Sequence, residues 1–261
     1  METELIRAIC VLAAIGAAIP SLEFLVSWFA VRAWFPRLPA NHEISIGAPA
    51  ENSMLAENMW LYGVMICRLT VSIALVACVL LRFTLVAPLF AASCLSILSI
   101  KMRRVALDGA DQMTTITFCA LTLGSLSASH SAQTITLMYL AGQALLSYLA
   151  AGTAKLVSKK WLFEGALGSI LNNYTYGHPL LSTLLLARPK LDKALSVSVA
   201  VTEVLLPVLV VLPGSFGIMI ALVLGLSFHV GCAIAMGLNN FVFAFAATYP
   251  AIYYLHWILY N

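Results

Sequence analysis

Apolar residues in this chain come in long runs, not in the alternating or one-sided patterns of a soluble fold. A helix needs about 20 mostly apolar residues to cross hydrocarbon. On that rule the pattern predicts spans at 9–30, 61–81, 83–100, 113–126, 134–154, 195–212, 218–236 and 241–259. The fourth run is short and is expected to extend through 127–132. Between 161 and 189 the pattern changes. Two short apolar stretches, 166–171 and 180–187, are split by Asn172-Asn-Tyr-Thr-Tyr-Gly-His-Pro179. Neither can span alone, so this segment is read as interfacial or re-entrant. Such backbone is tolerated at membrane depth only where protein or a water cavity supplies its partners. The one sizeable polar stretch, 32–57, is a loop or lid and too small for a domain. The expected fold is all-α, a polytopic helical membrane bundle of seven or eight transmembrane helices with one interfacial or re-entrant segment. It is read as one domain over 1–261, with no soluble domain.

Composition strengthens this picture. The chain is 62% hydrophobic and 10% charged, whereas soluble domains carry about 25% charged residues. So few charges cannot cover a water-facing surface. The net charge of +3 is mild and no basic block points to nucleic acid. The basic groups, Lys101 to Arg104, Lys159-Lys160 and Arg188/Lys190/Lys193, are better read as topology signals on one, cytoplasmic, side. The first apolar run, 6–30, is too long for a signal-peptide core and is read as a retained span. A multi-pass protein of a bacterial inner membrane is expected, with the lipid bilayer as its constant partner. The six cysteines are scattered, with no C-x-x-C and no His at zinc spacing. No disulfide framework and no metal site are expected.

Ionisable residues near hydrocarbon are costly and count as functional candidates by default. Lys155 closes the fifth span and shares a helical stripe with Gly152 and Tyr148. Set among apolar groups, a lysine becomes a usable base or nucleophile; alternatively it snorkels to head groups. Asp108 and Asp111 open the fourth span, as substrate anchors or as helix N-terminal caps. His229 shares a stripe with Met236 and Asn240, near Cys232, and suits proton transfer or a plain core hydrogen bond. Glu203 lies mid-span, four residues before Pro207. It could satisfy the carbonyl freed by the proline, or pair with Arg68, which could equally pair with Glu23. Glu164 could tune Lys155. Lys155, His229 and at least one of Asp108, Asp111 or Glu203 are expected to line one pocket.

Three stretches resemble the horizontally transferred transmembrane domain, the membrane part shared by vitamin K-dependent gamma-carboxylases and bacterial relatives. The first is Tyr148-Leu-Ala-Ala-Gly-Thr-Ala-Lys155-Leu with Lys160-Trp161 and Glu164-Gly165. The second is Phe228-His229 followed by Asn239-Asn240-Phe241, and the third Leu107-Asp108-Gly-Ala-Asp111-Gln. The resemblance implies that Lys155 acts as a base on a lipophilic molecule. A carboxylase continues into a soluble domain where this chain ends, at Asn261. The expectation is therefore for the membrane pocket and its proton transfer, not for protein carboxylation.

Together these readings point to a membrane-embedded enzyme using general acid–base chemistry on a lipophilic substrate, with isoprenoid (terpene) cyclisation as the leading reaction. That chemistry needs a carboxylic acid that keeps its proton, here Glu203 or Asp111, and aromatic faces to steady carbocations. Tyr148, Trp161, Tyr174, Tyr176 and Phe241 are the candidate aromatics, with Glu164 and Asn240 as polar contacts. No cofactor is required, although a quinone-type molecule would fit the resemblance. Two other readings stay open: a non-catalytic partner in maturation or export of a secreted peptide, and a quinol-dependent oxidase or carboxylase remnant.

Overall fold

A computed structural model describes residues 1–34, 51–103, 108–127, 129–173 and 177–261, and these are all-helical. With no water to pair with, backbone groups in hydrocarbon must bond within their own segment, and a helix achieves this. The helices are α1 (Glu2–Trp34), α2 (Glu51–Leu80), α3 (Val86–Met102), α4 (Gly109–Ser125), α5 (His130–Leu156), α6 (Leu167–Leu171), α7 (Pro179–Leu186), α8 (Pro189–Val210), α9 (Ser215–Met236), α10 (Asn239–Ala246) and α11 (Tyr249–Tyr260). A single π-helical turn, Lys160–Glu164, follows α5.

Among the described residues, six segments are long and apolar enough to cross a membrane: Glu2–Ser27, Met59–Leu80, His130–Leu156, Pro189–Val210, Ser215–Met236 and Asn239–Tyr260. The protein is a multi-pass helical membrane protein on this basis. Helices α3 and α4 have 17 residues each and fall below that length. The last segment is not one helix, because α10 and α11 meet at a turn before Pro250. The fourth predicted span begins earlier than its apolar run suggests. Asp108 caps α4 by accepting the Asp111 N–H at 2.9 Å, so helix forms from Gly109. Among the described residues between α5 and α8 there is no helix of membrane length, only the π-helical turn, α6 and α7, of 5, 5 and 8 residues.

Contacts between helix termini mark two distinct ends of the bundle. One end is tied by Glu4–Arg82 (3.9 Å) and Glu2–His130 (3.2 Å), with Tyr254 donating to Glu2. The other carries Glu23–Asn239 (2.7 Å), Arg103–Asp111 (2.5 Å) and Lys155–Glu203 (2.5 Å). Lys101, Arg103, Lys159, Lys160 and the Arg188–Lys193 group all lie at this second end, called here the basic end.

Among the most extensive packings is α5 against α8. It depends on Gly152. A methyl group there would sit 2.7 Å from Val204 Cγ2 and 2.9 Å from both Glu203 Cβ and the Val204 backbone nitrogen. Because the obstruction includes backbone, α8 has to move away. Gly152→Ala is therefore expected to lower stability by about 1–3 kcal/mol, the usual cost of overpacking. Gly142→Ala on the same helix, where a methyl meets nothing within 4 Å, serves as the control. Thermal unfolding in detergent checks this, and equal midpoints for the two variants would refute it.

Candidate functional site

A large apolar cavity of about 890 Å³ reaches inward from the basic end. Helices α4, α5, α8, α9 and α10 form its walls, and α6 and α7 cover its mouth. Its size is near the upper end for small-molecule sites. Few polar groups face it. On α5 they step by one turn, Gln143, Ser147 and Lys155, with Ala151 between. Residues four apart share a helix face, so the sequence itself places them in one row.

Two hydrogen-bonded pairs stand out. Near the mouth, Lys155 Nζ donates to Glu203 Oε2 at 2.5 Å, and its ammonium lies 5.3 Å from the Trp161 ring centroid. The Glu203 side chain is 6% exposed and that of Lys155 20%, so the pair is largely desolvated. About 10 Å deeper along α5, the Tyr148 hydroxyl and His229 Nε2 lie 2.7 Å apart. His229 stacks on Phe245 with centroids 4.3 Å apart, and Phe241 stacks on Phe245 at 5.9 Å. Tyr148 meets Phe245 at 5.3 Å. The cavity thus has a polar pair near its mouth and an aromatic cluster with a second pair in its depth. Cys232 and Met236 line the wall of α9 between them.

The structure brings together Lys155, Glu203, His229, Tyr148, Trp161 and Phe241 in this lining. Other candidates are placed elsewhere. Asp111 faces α3, paired with Arg103 at 2.5 Å and 2% exposed, while its neighbours Gln112 and Met113 face the cavity. Asp108 is the cap of α4 and accepts from Asn240 Nδ2 at 3.3 Å. Burial pushes the Asp108 carboxyl above its ordinary range, against the opposing pull of these hydrogen bonds and Arg103. Asn240 is spent on Asp108 and is not in the lining. Arg68 pairs with neither Glu23 nor Glu203: Asn239 holds Glu23, Lys155 holds Glu203, and Arg68 is buried beside Asp111, Arg103 and Asp108. Glu164 is exposed on the π-helical turn, outside the lining. Tyr174 and Tyr176 lie outside the described residues.

Two residues that sequence reading passed over hold the cover in place. Asp192 on α8, 4% exposed, accepts the Gly168 N–H at 3.0 Å and the Ser196 hydroxyl at 3.2 Å. Ser196 Oγ in turn accepts the Ala166 N–H at 2.9 Å and the Leu167 N–H at 3.2 Å. These are the first amides of α6, which its own helix cannot satisfy. Gly165, at φ 83°, turns the chain into this latch, and a side chain there would strike Asp192. The signal was the i, i+4 pair Asp192/Ser196 on one face of α8, but the partner lay far away in sequence.

No protein-family model, curated protein or solved structure matches this chain.

Cutting the latch should loosen the cover and leave the bundle intact. In Asp192→Ala, amide hydrogen exchange is expected to rise in peptides covering 165–171 and stay unchanged in the middle of α5. Uniformly faster exchange, or none, would show that Asp192 does not hold the cover.

Proposed function

We propose that the protein is a membrane-embedded enzyme that carries out general acid–base chemistry on a lipophilic substrate held in this cavity, with isoprenoid cyclisation as its reaction. The observation behind the reading is that two proton-bearing pairs at different depths, Lys155–Glu203 and Tyr148–His229, share one apolar, aromatic-lined space. A structural bundle has little use for buried ionisable groups turned inward. Cyclisation needs what this space supplies. The proton shared between Lys155 and Glu203 adds to a double bond or epoxide, which leaves a carbocation. Alkene π-electrons attack it and form the ring bond, and the aromatic faces steady the positive charge. A neighbouring C–H proton then leaves to His229, hydrogen-bonded to Tyr148; His229 releases one proton and the first pair takes up one before the next turnover. Atoms and charge balance without an oxidant or a metal.

In the membrane, α3 and α4 are read as two further crossings, each about 26 Å long. With α10 and α11 counted as one, the bundle then has eight crossings, and α6 and α7 form an interfacial cover. The excess of Lys and Arg supports reading the basic end, and the cavity mouth with it, as facing the cytoplasmic side of a cell membrane.

The reading is tested on the ion pair, with conversion of an isoprenoid substrate followed by mass spectrometry. Lys155→Met and Glu203→Leu should each cut turnover by roughly 10²–10⁴-fold, the usual worth of a positioned acid or base. Each single change also strands a buried charge and should cost roughly 3–5 kcal/mol. The double variant Lys155→Met/Glu203→Leu removes both charges, so it should regain most of that stability and still lack activity. Asp111→Asn, away from the cavity, should affect stability more than turnover. Output that survives the double variant but is lost on deleting 161–186 would overturn the enzyme reading in favour of a peptide-handling partner.

A further inference from the structure

The cavity is large, yet among the described residues its only charged lining groups are Lys155 and Glu203, and they neutralise each other. An anionic head group placed inside would have to take Lys155 from Glu203 and leave a carboxylate stranded among apolar side chains. A cationic one would strand Lys155 in the same way. Either exchange is costly in a desolvated site. An uncharged oxygen, such as a hydroxyl, carbonyl or epoxide, can bond to the pair without separating it. The surplus positive charge of the basic end lies outside. Lys159, Lys160, Arg188, Lys190 and Lys193 are all exposed, and none lines the cavity.

The lining is also continuous with the outer surface of the bundle. Ser227 and Gly231 on α9 both line the cavity and are exposed, as are Leu191 and Leu195 on α8. A methyl group built on Gly231 meets nothing within 4 Å. Gly231 and Ser227 lie about 8 Å and 14 Å along α9 from its basic end, inside a segment of membrane-crossing length. None of the four residues is charged, so this edge suits hydrocarbon better than water.

We infer that the cavity takes a neutral, bilayer-dissolved lipid bearing an uncharged oxygen function, which enters sideways between α8 and α9 from the leaflet at the basic end. Prenyl diphosphates and fatty acids are rejected. The inference rests on the proposed function in placing the substrate in this cavity. It implies that the reaction supplying the substrate has already removed or capped any diphosphate, so chemistry here starts by protonation and not by diphosphate departure.

Photolabelling in lipid nanodiscs tests this without reading turnover, so a failure of the acid–base chemistry would leave the result intact. The probe is a benzophenone-bearing prenyl alcohol, and the competitors are geranylgeraniol and geranylgeranyl diphosphate. Label is expected on peptides covering 143–161 and 227–236, displaced by the alcohol at a concentration at least about tenfold lower than the diphosphate requires. Gly231→Trp should block the entrance and abolish this label. Gly142→Trp, equally open to a side chain but outside the cavity, should keep it. Equal or better competition by the diphosphate would overturn the neutral-lipid class. Undiminished labelling of Gly231→Trp, or its loss in both tryptophan variants, would overturn the lateral route.

Discussion

The contact between Lys155 and Glu203 sets the terms for the rest of the site. Two charges cannot stay in an apolar wall unless they meet, and they meet at 2.5 Å because α5 and α8 lie almost backbone to backbone at Gly152. The same approach fixes the angle of α8, and with it the position of Asp192 and Ser196 beneath the cover segment. One glycine, one ion pair and one latch therefore link the membrane bundle to the lid over its cavity. None of them contributes apolar burial of its own; each supplies position.

The bundle was legible in the sequence because hydrocarbon enforces a simple rule of length and polarity. The apolar runs pick out α1, α2, α5, α8 and α9, but these helices begin three to ten residues before the runs do. The boundaries that shifted did so through capping and turns: Asp108 starts α4 early, and the turn before Pro250 divides the final segment. Within the site, Lys155 and Tyr148 share a face because seven residues are nearly two helical turns. What could not be read was pairing across helices. The sequence offered Arg68 as a partner for Glu203, while the fold gives Lys155 to it and sets Arg68 beside the two aspartates. Asp111 lies on the far side of α4 from the cavity, although Gln112, the next residue, faces it. Periodicity gives relative faces along one helix; it does not say which face meets which neighbour.

The two polar clusters of the basic end divide the work. Arg103 pairs with Asp111, and Asn240 donates to Asp108, which ties the end of α3 to α4 and α4 to α10. Lys155 and Glu203 line the cavity. Arg103 and Asp111 do not line the cavity, whereas the Lys155–Glu203 pair borders an apolar void of a size that is available to a ligand. That distinction, more than any local motif, is the reason for assigning chemistry to the second cluster.

The most direct test is an experimental structure of the protein in a native-like bilayer. The account predicts elongated, lipid-shaped density in the cavity, its oxygen end within about 3.2 Å of Lys155 Nζ or the Glu203 carboxyl and its chain running over Phe241 and Phe245 towards Tyr148 and His229. A cavity closed by its own side chains, with Lys155 turned outward to the head groups and Glu203 bonded elsewhere, would contradict it.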